Sequence, residues 1–220
     1  MDWDWQFVWM IMPNLVDGVV VTIQATLLGS LLAIVLGLLF AILRRSRITS
    51  LSRAVRFFLE FIRGTPLLVQ LFFLFYILPD VGILLPPLVA GCIGLGIHYS
   101  AYNAEVFRAG IDNIEKGQWE AAKAVNLSTT QTWVHVIVPQ AVPPMIPAIA
   151  NYIVAMFKET PLLSAITVLE LMNQARSVAN FHYRYIEPIT LVGVFFLLVS
   201  IPTVIALRAL ERRYGTRDNR

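Results

Sequence analysis

Lys158-Glu159-Thr160-Pro161 interrupts an otherwise apolar stretch, with AIANYIVAMF before it and LLSAITVLELM after it. Ionisable groups inside such a stretch are costly, and where a membrane surrounds them they mark functional positions. An adjacent ammonium and carboxylate, a threonine hydroxyl and a proline that frees backbone groups suit non-covalent recognition of a zwitterionic solute at a broken helix. Pairing of Lys158 with Glu159 at an outer turn is the alternative. A second polar band, His98, Tyr99, Ser100, Tyr102 and Asn103, interrupts another apolar run. Tyr99 and Asn103 are four residues apart and share a helix face, which makes Tyr99, Ser100 and Asn103 candidates for solute contact. Hydrogen bonds between helices would satisfy the same groups. Glu105 is expected in a structural or gating ion pair, and Arg63 near the inner boundary of the membrane.

Other chemistries find no residues to carry them. No nucleophile and base stand in a recognisable arrangement, so the chain is not expected to be an enzyme. Its histidines, His98, His135 and His182, are scattered without an H-E-x-x-H pattern, and the single cysteine, Cys92, lies in an apolar run. Neither a metal site nor a disulfide framework is expected. No G-x-x-x-x-G-K-[ST] stretch occurs, so any ATP must be bound by another chain, and no cofactor is expected in this one.

The elements that position these residues follow from composition. Of 220 residues, 57% are hydrophobic and 14% charged, against about 25% charged in soluble domains. Several runs reach the roughly 20 apolar residues needed to cross a bilayer. The first runs from about Val19 to Leu43, and the loop after it carries Arg44, Arg45, Arg47, Arg53 and Arg56 with no acidic residue among them. The positive-inside rule makes that loop cytoplasmic and the start of the chain external. The net charge of +3 therefore reports topology, not nucleic-acid binding. Residues 1–18, acidic and rich in tryptophan, read as an external segment with a short interfacial helix broken at Pro13. Further crossings are expected at about Phe57 to Leu78, from near Pro87 to about Phe107, from Pro143 through the break at Lys158 to Pro161, and from about Pro188 to Leu207. The result is an all-α membrane protein of about five spans, with one transmembrane domain over 19–210 and a basic cytoplasmic tail at 211–220. The break places Lys158 and Glu159 roughly 22 to 24 Å along the helix from Pro143.

Between the third and fourth spans lies an inner loop over about 112–140. Trp119, Ala122 and Val125 follow helical spacing, Asn126 can end that helix in the left-handed conformation, and Ser128 with Gln131 forms an S-x-x-Q capping box. Two short helices with a bend at Asn126-Leu127 are expected, with Trp119 and Leu127 turned toward water. Such a surface calls for a partner, or for the inner leaflet with Trp119 and Trp133 as anchors.

The run from Glu120 resembles the EAA signature of permease subunits of ATP-binding-cassette importers. Glu120, Ala121, Ala122, Ile137 and Pro139 match it, Asn126 stands where the family has glycine, and Val138 stands where it often has leucine. Arg63-Gly64-Thr65-Pro66, the stretch Tyr102 to Ile111, Gly117-Gln118 and Lys158 to Leu162 resemble the polar amino-acid branch of that family, the histidine, glutamine and arginine permeases. This resemblance implies the type I importer permease fold in a bacterial inner membrane. It also implies a pair of cytoplasmic ATP-binding subunits, a second permease subunit of the same or a sister sequence, and an external solute-binding protein. Trp119, Glu120, Ala121, Ala122 and Asn126 would form the coupling contact with the ATPase, and Glu159 and Thr160, with Lys158, would line the solute path. Importers of ectoine-type solutes share these motifs. A self-sufficient secondary carrier, with Glu105 or Glu159 binding an ion, is the reading from a different class; the long inner loop and the lack of an internal repeat stand against it.

Overall fold

Asp4 sets the start of the first helix, α1 (Trp5–Arg44), by accepting hydrogen bonds from the backbone amides of Gln6 and Phe7 at 2.8 and 3.2 Å. The computed structural model describes residues 3–214, which are helical throughout their ordered elements; the assigned tail lies outside these residues from 215 onward. The break expected at Pro13 does not occur, and α1 runs through it. An interior proline costs about 3 kcal/mol, but Phe7, Ile11 and Leu15 on either side are buried against the last two helices and hold the axis.

The expected straight span over 57–78 is instead two pieces. Helix α2 (Thr49–Gly64) and helix α3 (Leu67–Phe72), which continues through a wide turn at Phe73–Ile77 and a tight one at Leu78–Val81, meet at 106°. Pro66 pushes Thr65 out of the helical region, to φ −110° and ψ 139°. Helix α2 is amphipathic: Val55, Leu59 and Ile62 are buried, while Phe57 and Phe61 are exposed on other faces. A sliding hydropathy reading merges the two pieces because it is blind to that bend.

Helix α4 (Pro87–Asp112) carries the polar band and packs along α1. The seam is made of small residues every four positions on α1: Ala25, Gly29, Ala33, Gly37 and Ala41, all buried. Close approach is what this spacing provides between helices in lipid. A Cβ placed on Gly37 would lie 2.7 Å from the Cβ of Asn103.

After α4 come α5 (Lys116–Ala124) and α6 (Thr129–Gln131), which passes through a wide turn at Thr132–Ile137 into α7 (Val138–Glu159). Helix α7 starts before the proline cluster and includes Pro143, Pro144 and Pro147, with Ala141, Met145 and Pro147 buried. It ends where the charged quartet lies, giving way to a tight 3-10 segment, Thr160–Ile166, closed by Thr167 in the left-handed region at φ 64°. Helix α8 (Leu171–His182) then runs beside the first half of α1, and α9 (Ile186–Tyr214) completes the described chain. Glu170, fully buried, caps α8 by accepting from the amides of Met172 and Asn173, both at 2.8 Å.

By length and apolarity α1, the 129–166 unit and α9 can each cross a membrane, and the bent α2–α3 pair is a fourth candidate. Helix α4, at 26 residues, reaches about 39 Å, but its polar band keeps it out of that apolar set.

Candidate functional site

The polar groups of α4 and α7 do not all converge. At the centre, the Tyr99 hydroxyl donates to Glu159 Oε2 at 2.8 Å, joining the middle of α4 to the last residue of α7. Tyr102 and Tyr152 complete an aromatic cluster, with ring centroids 6.0 Å from Tyr99 to Tyr102, 6.1 Å from Tyr99 to Tyr152 and 5.5 Å from Tyr102 to Tyr152. His98 packs on both α4 tyrosines. Its Nδ1 lies 3.2 Å from Gln70 Oε1, while Gln70 Nε2 donates to the Ile62 carbonyl at 2.8 Å and to Thr65 Oγ1 at 2.7 Å. Gln70 thus satisfies the carbonyl freed where α2 and α3 part, and bolts that corner to the cluster. Arg63, half-buried at the end of α2, acts electrostatically on Tyr152.

This gives a cluster of one carboxylate, three phenols and a nearby guanidinium. Aromatic faces attract an ammonium, and the carboxylate and guanidinium supply both signs of charge.

The other sequence candidates lie elsewhere. Thr160 is buried, and its hydroxyl turns back onto the Phe157 carbonyl at 2.7 Å. Lys158 is exposed about 100° around α7 from Glu159, along a groove against α9. Ser100 bonds the Ile97 carbonyl at 2.6 Å, and Asn103, packed against Gly37, leaves Oδ1 buried without a hydrogen-bond partner. Adjacent residues on a helix are separated by about 100°, so Ser100 cannot share Tyr99's aspect. Tyr152, Gln70 and Arg63 join the cluster although the sequence reading left the first two out and discounted the third. A tyrosine seven residues before Glu159, on the same helical face, was the available signal.

At the inner ends of α1 and α4 the arginines and acids form a network. Arg44 Nη1 donates to Glu105 Oε2 at 2.8 Å, Arg108 contacts Glu105 and reaches Asp112 at 2.7 Å, and Arg45 pairs with Asp112. Glu105 therefore has the ion pairing expected of it.

The inner hairpin is built by its caps. Asn126 adopts φ 56°, its amide bonds the Lys123 carbonyl at 3.0 Å, and the Leu127 amide bonds that of Ala122 at 3.1 Å. These two bonds are the Schellman ending of a helix, in which glycine or asparagine takes the left-handed position. Ser128 and Gln131 form the capping box that opens the next helix. Trp119 does not point freely to water: it stacks edge-on against Trp133 at 5.3 Å, over a small core of Ile111, Ala141 and Met145. Leu127 is half-buried as well, and Val125 and Val134 are exposed apolar residues of the hairpin. Glu120, Ala121 and Asn126 face outward, and Ala122 is buried beneath them.

Residues 33–216 match the family described as the inner membrane component of binding-protein-dependent transport systems. The chain belongs to this family. The permease is 42% identical over 201 residues to a probable amino-acid ABC transporter permease protein, y4tG, of Sinorhizobium fredii, covering 91% of this chain and 87% of that one. It is 33% identical over 215 residues to the glutamine transport system permease protein GlnP of Escherichia coli, covering 97% and 98%. Among solved structures it resembles a crystal structure of an amino acid ABC transporter with histidines, at a TM-score of 0.89 and 32% identity, covering 97% of this chain and all of that one. The fold is that of a type I importer permease, and the chain is a membrane component of a transport system, not an enzyme.

Proposed function

We propose that this permease is the membrane subunit of an ATP-driven importer that carries polar amino acids, or closely related zwitterionic solutes such as ectoine, across the bacterial inner membrane. The observation that carries this reading is the Tyr99–Glu159 contact inside the tyrosine cluster, at the point where α7 breaks. A half-buried carboxylate held by one phenol at the edge of an aromatic cluster suits the ammonium of an amino acid, and Arg63 suits its carboxylate. Glu159 is the primary contact in the solute path. Tyr99 positions it, and Thr160 and Lys158 flank it at the end of α7.

The hairpin supports the other half of the reading. Its exposed edge of Glu120, Ala121, Val125 and Asn126, stiffened by two caps and the Trp119–Trp133 stack, is the coupling contact for a cytoplasmic ATP-binding subunit, with Ala122 beneath it. Two such subunits, a second permease subunit and an external solute-binding protein complete the importer. The chain makes five crossings, starting outside and ending in the cytoplasm. The names and similarity of the relatives support amino acids as the cargo.

The test is uptake by vesicles containing the purified complex and its solute-binding protein. Wild type accumulates solute when ATP and the ATP-binding subunit are both present. Glu159→Gln removes a charge-assisted contact of about 1.5–3 kcal/mol, so uptake falls by roughly tenfold or more, while the ATP-binding subunit stays associated. Accumulation without the ATP-binding subunit, or wild-type kinetics for Glu159→Gln across a panel of amino acids, would refute the proposal.

A further inference from the structure

The 106° corner between α2 and α3 encloses an apolar cavity of about 330 Å³. Phe58, Phe61, Val69 and Phe73 of the two arms line it, together with Gly94 and Ile97 of α4. Thr65 and Gln70 also reach it, but their polar atoms are engaged with each other, with the Ile62 carbonyl and with His98. A ligand there meets only hydrocarbon and aromatic surface. Such a space is filled by apolar atoms and not by water. One turn of helix, about 5.4 Å long and 10 Å across, takes about 420 Å³, so the cavity admits a single chain and not a helix of another protein.

The α2 arm leads into this cavity from a charged end. Ser52 Oγ donates to the Arg44 carbonyl at 2.7 Å, which ties the first turn of α2 to the end of α1, and Phe58 packs on Phe40, one turn back along α1, at 5.4 Å. Arg53, Phe57 and Phe61 recur at every fourth residue and so form one stripe, about 12 Å long. It runs from an exposed guanidinium, through an exposed ring, to a ring in the cavity wall. Arg53 has no hydrogen-bond or ion-pair partner among the described residues. Glu60, the acidic residue of α2, stands seven residues on, about 10 Å along the axis, and makes no ion pair with it. Arg47, in the link between α1 and α2, is exposed as well. An uncompensated guanidinium beside an apolar stripe matches an anionic headgroup with a hydrocarbon tail.

We infer that the α2–α3 corner is a binding site for an anionic phospholipid, with one acyl chain in the cavity and the headgroup phosphate on Arg53. The inference rests on the membrane class of the chain and not on the identity of its cargo. The site is distinct from the tyrosine cluster, because Ile97 and Tyr99 point about 160° apart around α4. A lipid seated there props the corner that Gln70 bolts to His98.

The experiment places the complete importer in phosphatidylcholine vesicles containing a minor share of phosphatidylglycerol with a diazirine on its acyl chain. Illumination followed by peptide mass spectrometry is expected to find adducts between Phe57 and Leu74, suppressed by unlabelled phosphatidylglycerol and not by added phosphatidylcholine. Arg53→Gln should lower their yield about fivefold. Val69→Trp, which fills the cavity from an exposed position and leaves Arg53 intact, should lower it at least as much. Equal labelling by a diazirine phosphatidylcholine, a yield unchanged in either variant, or a benzophenone at Val69 that joins to another subunit instead of to lipid would overturn the inference. The competition uses the wild-type complex and decides the matter if a variant fails to assemble. ATP-driven uptake with unselective labelling sinks the lipid site and leaves the proposed function standing, and selective labelling without uptake does the opposite.

Discussion

At the scale of single residues, Asn126 and Glu159 are decided by different physics. Asn126 is a backbone matter: its φ of 56° is cheap for glycine or asparagine and costs about 1–2 kcal/mol for most other residues. Asn126→Gly should therefore leave the hairpin intact, and Asn126→Val should loosen it by about that amount or somewhat more, because a β-branched side chain is least tolerant there. Co-purification of the ATP-binding subunit with each variant measures this. Equal retention by the Val and Gly variants would mean that the left-handed turn does not shape the contact. Glu159 is a side-chain matter, held by a 2.8 Å hydrogen bond to a residue sixty positions away. Nothing local to Lys158-Glu159-Thr160 dictates that the carboxylate turns to one helix and the ammonium to another.

At the scale of elements, the α1–α4 seam is the most demanding feature. Two long helices with little hydrophobic drive between them in lipid must gain their association from contact, which small residues at every fourth position allow. Gly37 is the tightest point against α4's polar side, since even one added carbon meets Asn103. Gly37→Leu is expected to destabilise the permease by about 1–3 kcal/mol or more. Thermal unfolding of the detergent-solubilised protein should show a lower midpoint, and an unchanged one would mean that the helices separate freely there. The same seam explains why Ser100 and Asn103 turn away from the tyrosines: the rotation that brings α4's small residues against α1 leaves Tyr99, Tyr102 and His98 for the other side. Gln70 plays the matching part at the 106° corner, where it satisfies a carbonyl that proline-induced breakage had freed.

At the scale of the whole molecule, distant parts of the chain are stitched together at one end. Arg184 pairs with Glu187 and, at 3.3 Å, with Asp4, and its guanidinium lies 5.1 Å over the ring of Phe7. The Asp4 amide donates to Glu187 at 3.3 Å. The opposite end carries the Arg44–Glu105–Arg108–Asp112–Arg45 network and the hairpin. The two ends should therefore lie on opposite sides of the bilayer. In intact inner-membrane vesicles of known orientation, Tyr183→Cys is expected to react with an impermeant thiol reagent only from the outer side, and Gln118→Cys only from the cytoplasmic side. Labelling of both from one side would reverse or collapse the topology.

The membrane class, the arginine asymmetry, a change of helix form at Lys158 to Pro161 and both caps of the hairpin were legible in the residues alone; the fourth segment, expected to be discontinuous, runs on as a 3-10 helix to Ile166. Each rests on composition or on contacts within a few positions, which the order of residues dictates directly. The continuity of α1 through Pro13, the corner at Pro66, the turning of Trp119 onto Trp133 and the company kept by Glu159 were not. Those depend on how whole helices rotate and meet. In an apolar chain nearly every face is hydrophobic, so periodicity carries little information about which side is inward. Tertiary packing decided that Glu159 and Lys158, neighbours in sequence, belong to two different surfaces, because a helix turn sends adjacent side chains about 100° apart and each found a different environment.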